Sequence, residues 1–293
     1  MPDALASLRV IARWPELQDT LEEARAACAR LRFHEGLRRR IPEAAAESRV
    51  RGAWANARLD GARVPLDTVR DLVVGSTRWP QPSEPTWDIV RGSVQVVAES
   101  ERVATVLATA PAQALARLHV AAAQPLVAGQ GVEDRLGRPR IGPLPEGVDE
   151  FTTLPPAPID VRPRLEALTD MLRSTAGSDV PALLVGAIGH GEVALVRPFE
   201  RGNGLVARAL ERALSIGRGL DGTGVSVPEY GHAVAGATAY GGALSAYAHG
   251  SREGLVVWVR HCATAIIAGA VEGERIADAV RSGRLADAAT APA

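Results

Sequence analysis

A mostly α-helical fold with one small β element is predicted by three features of the sequence. Apolar residues recur at three- and four-residue spacing through most of the chain, strand-like alternation is sparse, and no strand–helix–strand alternation of the kind that builds a parallel sheet occurs. The 293 residues suffice to bury a sizeable core without disulfides. With 46% hydrophobic and 23% charged residues, the chain is globular rather than disordered or fibrous. No repeat at a solenoid period is present.

The elements follow in order. Leu17, Leu21, Ala24, Cys28 and Leu31 form one apolar helical stripe, which places the Cys28 thiol in the core. Three prolines between Pro80 and Pro85 forbid regular structure and mark a joint. Two helical patterns run from Trp87 to about Leu126, separated near Pro111. Glycines and prolines between Val127 and Pro158 imply a loop or small hairpin. Val161, Leu165, Leu168 and Leu172 define another helix, with Asp160 as its expected N-cap. A further helix is expected from about Asp179 to Val196, one from about Gly204 to Gly217, and two or three more follow. Gly254 to Val271 is the most hydrophobic late stretch; Arg260 and His261 at its middle make it a buried helix rather than a membrane span.

Charge and composition exclude several functions. Thirty-three basic residues against 34 acidic ones give a net charge of −1, which offers no field for nucleic acid or an anionic membrane. Every basic side chain other than histidine is arginine. Schiff-base chemistry, pyridoxal phosphate attachment and a Walker A lysine are therefore excluded, and anion contacts fall to guanidinium groups or backbone N–H groups. Cys28 and Cys262 lack zinc-site spacing, and the other histidines, His34, His119, His232, His249 and His261, show no ligand spacing either. The amino terminus lacks a signal-peptide pattern, so a cytoplasmic protein is expected. No G-x-G-x-x-G follows a strand, which argues against a nicotinamide oxidoreductase, and His190-Gly-Glu192 lacks the Pro-Cys-x-x-Cys of a deaminase.

The chemistry is expected in Arg197-Pro-Phe-Glu-Arg-Gly-Asn-Gly-Leu-Val-Ala-Arg208, which joins two helical patterns through Gly202, Asn203 and Gly204. Such a turn lets backbone N–H groups converge at a helix N-terminus, where an anion is favoured. Arg208 lies about 6 Å along the helix from Gly204, within reach of a bound polyphosphate.

The segment resembles the motif of the Fic/Doc (Fido) family, His-Pro-Phe-x-Asp/Glu-Gly-Asn-Gly-Arg-x-x-Arg. Pro198, Phe199, Gly202, Asn203, Gly204 and Arg208 match it. His190 falls where many family members carry a histidine in the preceding helix. Gly137-Arg-Pro-Arg140-Ile141-Gly is similar to the family's target-docking flap, and Pro155-Pro156 precedes a helix as in the family. Tyr240, Leu244, Gly254 and Trp258 fit its terminal helices, so the resemblance spans roughly Trp87 to Val271. Asn56-Ala-Arg-Leu-Asp60-Gly61 resembles the inhibitory motif Ser/Thr-x-x-x-Glu-Gly/Asn, whose glutamate pairs with the second motif arginine, here Arg208. Asp60 and Gly61 are equally suited to a capped turn. The resemblance implies a Fic-like helical bundle at 85–275 with a small β-hairpin flap, an N-terminal helical extension at 1–80 and a C-terminal helix and tail at 276–293.

The resemblance also implies transfer of AMP from ATP to a protein hydroxyl, with a histidine base, a carboxylate-held Mg²⁺ and two phosphate-steadying arginines. This sequence departs from that pattern at three positions. Arg197 replaces the histidine and, always protonated, cannot accept a proton. Arg201 replaces the carboxylate and opposes Mg²⁺. Leu205 replaces the first arginine. Glu200 is offset by one residue, and His190 sits about 10.5 Å along a helix from Arg197, too far to take its place without remodelling. The expectation is an impaired enzyme with no assigned catalytic residue and no metal. Its Arg197, Arg201 and Arg208 either bind a nucleotide or phosphate for regulation, or are solvated or paired with Glu200 and Asp60. The alternative is an active transferase of AMP or another phosphate-containing group using a non-standard base. A protein target or regulatory partner is expected in either case.

Overall fold

The computed structural model describes residues 4–81, 83–144 and 158–285. Twelve α-helices occur among them: α1 (Ala4–Ile11), α2 (Pro15–Arg32), α3 (Ile41–Leu59), α4 (Leu66–Val74), α5 (Pro85–Val103), α6 (Pro111–Val127), α7 (Pro158–Ser174), α8 (Ala182–Val196), α9 (Asn203–Gly217), α10 (Pro228–Ala235), α11 (Ala237–Ala248) and α12 (Arg252–Ser282). Local chemistry explains several helix starts. Proline opens α2, α5 and α10, where its fixed φ fits the first turn and its missing N–H costs nothing. Ser251 caps α12 by accepting from the Gly254 N–H at 3.0 Å.

Helix α9 is the axis of the fold. Every residue from Asn203 to Ser215 is buried, with α8, α5, α6 and α3 packed around it. The long α12 closes the other side against α2, α8, α10 and α11. By length and composition α12 could cross a membrane, but its Trp258, Val259, Cys262 and Ile266 are buried in the core. The Trp258 indole also donates to the Ala187 carbonyl at 2.7 Å. Leu17, Ala24, Cys28 and Leu31 are likewise buried, and burial raises the Cys28 thiol pKa to about 12, so this thiol is inert. Helices α10 and α12 touch backbone to backbone: a Cβ on Gly231 would lie 1.9 Å from the Ala265 carbonyl oxygen.

Three expectations change. Asp160 lies in the first turn of α7 rather than at its cap, because Pro158 already opens the helix; the carboxylate still complements the helix dipole. Helix α12 runs unbroken through 275–276, so no boundary falls there. No strand occurs among the described residues. Gly137–Gly142 is irregular, tied to the motif loop by a single backbone bond from the Arg140 N–H to the Pro198 carbonyl (2.7 Å). The remainder of the expected hairpin, including Pro155 and Pro156, lies outside the described residues.

Candidate functional site at the α8–α9 joint

Helix α8 ends at Val196, and Arg197 turns the chain with φ 44°, a left-handed conformation usually left to glycine. Arg197 is 1% exposed, so the cation at the motif-histidine position points into the protein. The loop that follows is fixed by Asn203. Its Oδ1 accepts from the Phe199 N–H (2.9 Å) and its Nδ2 donates to the Phe199 carbonyl (2.8 Å). Gly202 takes φ 73°, which admits the turn into α9. Gly202, Asn203 and Gly204 are all buried, so the expected anion cradle has almost no surface facing water.

Helix α9 carries Arg208, Glu211 and Arg212 on one side, three charged groups in its buried stretch, and each is met by a different set of polar neighbours. Arg208 is held by α3, its Nε donating to Asn56 Oδ1 and its Nη2 to the Asp60 carboxylate. It also faces the Tyr240 hydroxyl. Burial raises the Asp60 carboxyl pKa, and the Arg208 charge opposes that shift. Gly61, at φ 90°, ends α3 immediately after this contact, so the same dipeptide both stops the helix and presents the carboxylate. Arg212 bonds Glu229 (3.1 Å), Ser48 (2.7 Å) and the Ser226 and Gly224 carbonyls.

Glu211 meets two histidines. Its Oε2 lies 2.9 Å from His190 Nδ1 and 2.7 Å from His232 Nε2, and the outer nitrogens face Tyr240 Oη (2.7 Å) and His261 Nε2 (3.1 Å). Burial lowers the His190 pKa to about 4, and the two imidazoles hold the Glu211 carboxyl well below the usual range. His190 is fully enclosed, with both ring nitrogens engaged by Glu211 and Tyr240. Glu192 points elsewhere, to Arg164 (3.0 Å) and the Tyr247 hydroxyl (2.9 Å).

The flap-like segment is clamped to the joint. Arg140 is buried and donates to the Arg197 carbonyl (2.8 Å) and the Gly142 carbonyl (2.8 Å), placing a cation at the C-terminal end of α8. Ile141 is 74% exposed beside a groove lined by Ile159, Arg162 and Pro163. Beneath the segment, His119 stacks on Phe199 (3.9 Å between centroids) and accepts from the Gly137 N–H through Nδ1 at 2.9 Å.

Burial lowers the His119 pKa to about 4, with a hydrogen bond to the Arg201 backbone opposing the shift. Its unfolded counterpart titrates near 6.5. The native contribution is therefore intact above about pH 6.5 and falls as the pH drops toward 4, by about 3 kcal/mol in total. Urea denaturation at stepped pH should show this slope in the wild type, and a flattened one in His119→Phe, which keeps the stack but cannot titrate.

The structure therefore brings Asp60 to Arg208 and Arg140 to Arg197. Arg201 is half-buried at the loop edge, and Glu200 is paired with Arg135 at 3.7 Å. Sequence reasoning missed Glu211, His232, His261 and Cys262. They lie 21 to 72 residues from His190, with no local signature; the one available signal was three charges at i, i+3 and i+4 in α9, a pattern that ordinarily marks a solvated face.

No protein-family model matches the sequence, and no curated protein does. Solved structures do match. A Fic family protein from Desulfovibrio desulfuricans G20 aligns with a TM-score of 0.69 at 19% identity, over 88% of this chain and 74% of that one. A Fic domain containing signaling protein from Bacteroides thetaiotaomicron VPI-5482 aligns with a TM-score of 0.62 at 14% identity, over 88% and 98%. Fic-1 from C. elegans (residues 134–508) aligns with a TM-score of 0.57 at 18% identity, over 93% and 74%. Identities this low speak to the fold alone, and they agree with the helical order laid out above: the chain has the Fic fold.

Proposed function

We propose that this protein does not transfer AMP, and that its glycine turn and Arg208 serve as a regulatory nucleotide or phosphate site which opens only when α3 withdraws Asp60. The observation that carries the first part is Arg197, a permanent cation buried where the resemblance requires a proton acceptor. The residues present do not fit the Mg²⁺ that the resemblance implies. Arg201 stands at the carboxylate position and Glu200 is engaged by Arg135. An anion is a better match for the chain's own groups, a helix N-terminus at Gly202–Gly204 and the Arg208 guanidinium one turn further along α9. Asp60 already occupies Arg208, however, and Gly202–Gly204 are enclosed.

Incubation with radiolabelled ATP, Mg²⁺ or Mn²⁺ and cell lysate is expected to label nothing, both for the wild type and for Asp60→Asn, which frees Arg208 of its counter-charge while keeping the shape. Label transfer that disappears in Asn203→Ala would overturn the first part. For the second, thermal shifts with ATP and with inorganic phosphate should be larger in Asp60→Asn than in the wild type, because ligand binding to the native state alone raises its stability. Equal or absent shifts in both proteins would leave an interaction module with a vestigial cleft.

A further inference from the structure

A second cluster of chemistry lies one turn deeper along α9 than Arg208. The donor atoms of His190 on α8, Glu211 on α9, His232 on α10 and Cys262 on α12 all lie within 4.8 Å of one another, and all four residues are buried. Four donors from four different helices converge on one point. The Glu211 carboxylate sits among them with the two imidazoles on Oε2 and the Cys262 thiol facing it, so its Oε1 has at most this weak sulfur donor.

We propose that His190, Glu211, His232 and Cys262 form a closed, structural metal site that takes Zn²⁺. Two imidazoles, one carboxylate and one thiolate are a four-donor set of the kind tetrahedral zinc accepts, with bonds of about 2.0–2.3 Å. The distances among the donors fit such an ion after a small outward shift of the two histidines from Glu211. Outer-shell support is also in place. His190 Nε2 faces Tyr240 Oη at 2.7 Å, and His232 Nδ1 faces His261 Nε2 at 3.1 Å, so each ligand ring has a partner on its other nitrogen.

The protons balance. On loading, Cys262 gives its thiol proton to solvent and binds as thiolate. The His190 proton moves from Nδ1 to Nε2, where Tyr240 Oη accepts while its own hydroxyl hydrogen rotates away; the His232 proton moves from Nε2 to Nδ1, and His261 shifts its proton from Nε2 to Nδ1 so that its Nε2 can accept. One dication with one carboxylate and one thiolate is neutral, whereas the metal-free cluster carries the single negative charge of Glu211. No donor position remains for water, so the ion fastens α8, α9, α10 and α12 rather than performing hydrolysis.

The test uses the full chain with any affinity tag removed. Protein purified or refolded with Zn²⁺ and passed through a chelator wash should retain about one zinc per chain, and both Cys262→Ala and His232→Gln should retain almost none. Refolding the wild type with Co²⁺ should give visible ligand-field bands of a tetrahedral site and a near-ultraviolet thiolate-to-cobalt band. That band should persist in Cys28→Ala, which reads the assignment out even if the Cys262 variant misfolds. Zinc below about a tenth of an equivalent in wild type refolded with the metal, without the cobalt bands, would overturn the site. So would stoichiometric zinc unchanged in Cys262→Ala and His232→Gln.

Discussion

Asp60→Ala is expected to lower folding stability by about 3–5 kcal/mol, because it strands the Arg208 guanidinium inside the protein without a counter-charge. Both partners are almost fully enclosed, with 2% of the Arg208 side chain and 9% of the Asp60 side chain exposed, so water cannot take over. Arg208→Met on the same background should recover most of the loss, since an apolar side chain of similar volume removes the unpaired charge. Urea denaturation of the four proteins in that cycle measures the coupling. A loss below about 1 kcal/mol in Asp60→Ala would place the pair with ordinary surface ion pairs and remove it as the contact that fixes α3. Asn56, through its bond to Arg208 Nε, and Ser48, through its bond to Arg212, would still tie α3 to α9.

Two glycine-to-alanine substitutions should move stability in opposite directions. At Gly231 the new Cβ would sit 1.9 Å from the Ala265 oxygen and 2.5 Å from its carbonyl carbon, so α10 must lift off α12. Backbone cannot turn aside as a side chain does, and the expected loss is about 3 kcal/mol or more. At Gly242, in the exposed face of α11, the added methyl meets nothing within 4 Å, and restricting the unfolded chain should stabilise the protein by about 0.4–1 kcal/mol. Thermal melts of both variants test the sign as well as the size. Gly231 precedes His232, so separation of α10 from α12 should also disturb the His232–Glu211 bond.

The helical order was legible because each segment carries its own periodicity and punctuation. The stripe of α2, the prolines before α5 and the turn between α8 and α9 are local signals that packing did not override. Glycine and proline forbid helix in the flap segment without specifying strand; among the described residues Gly137–Gly142 is irregular, held to the α8 end by Arg140. At the site, Arg208 and Asp60 could be named because a motif marks them, 148 residues apart as they are. Glu211, His232 and Cys262 could not. Their meeting depends on the crossing of four helices, and nothing within any one helix announces it. Arg212 was missed for a related reason: charges at i, i+3 and i+4 ordinarily face water, and only the enclosure of α9 from Asn203 to Ser215 turns them inward.

Because α3 and Arg208 belong to one polypeptide, their contact is unimolecular, and diluting the protein leaves it untouched. Expression level or crowding of the cell with copies of this chain therefore has no hold on it. On the proposed regulatory reading, carrying the helix from about 1% to about 99% released requires an incoming molecule that prefers the released form roughly 10⁴-fold, about 5.5 kcal/mol. A weak metabolite present in abundance satisfies that condition no better than a scarce one unless it discriminates between the two forms.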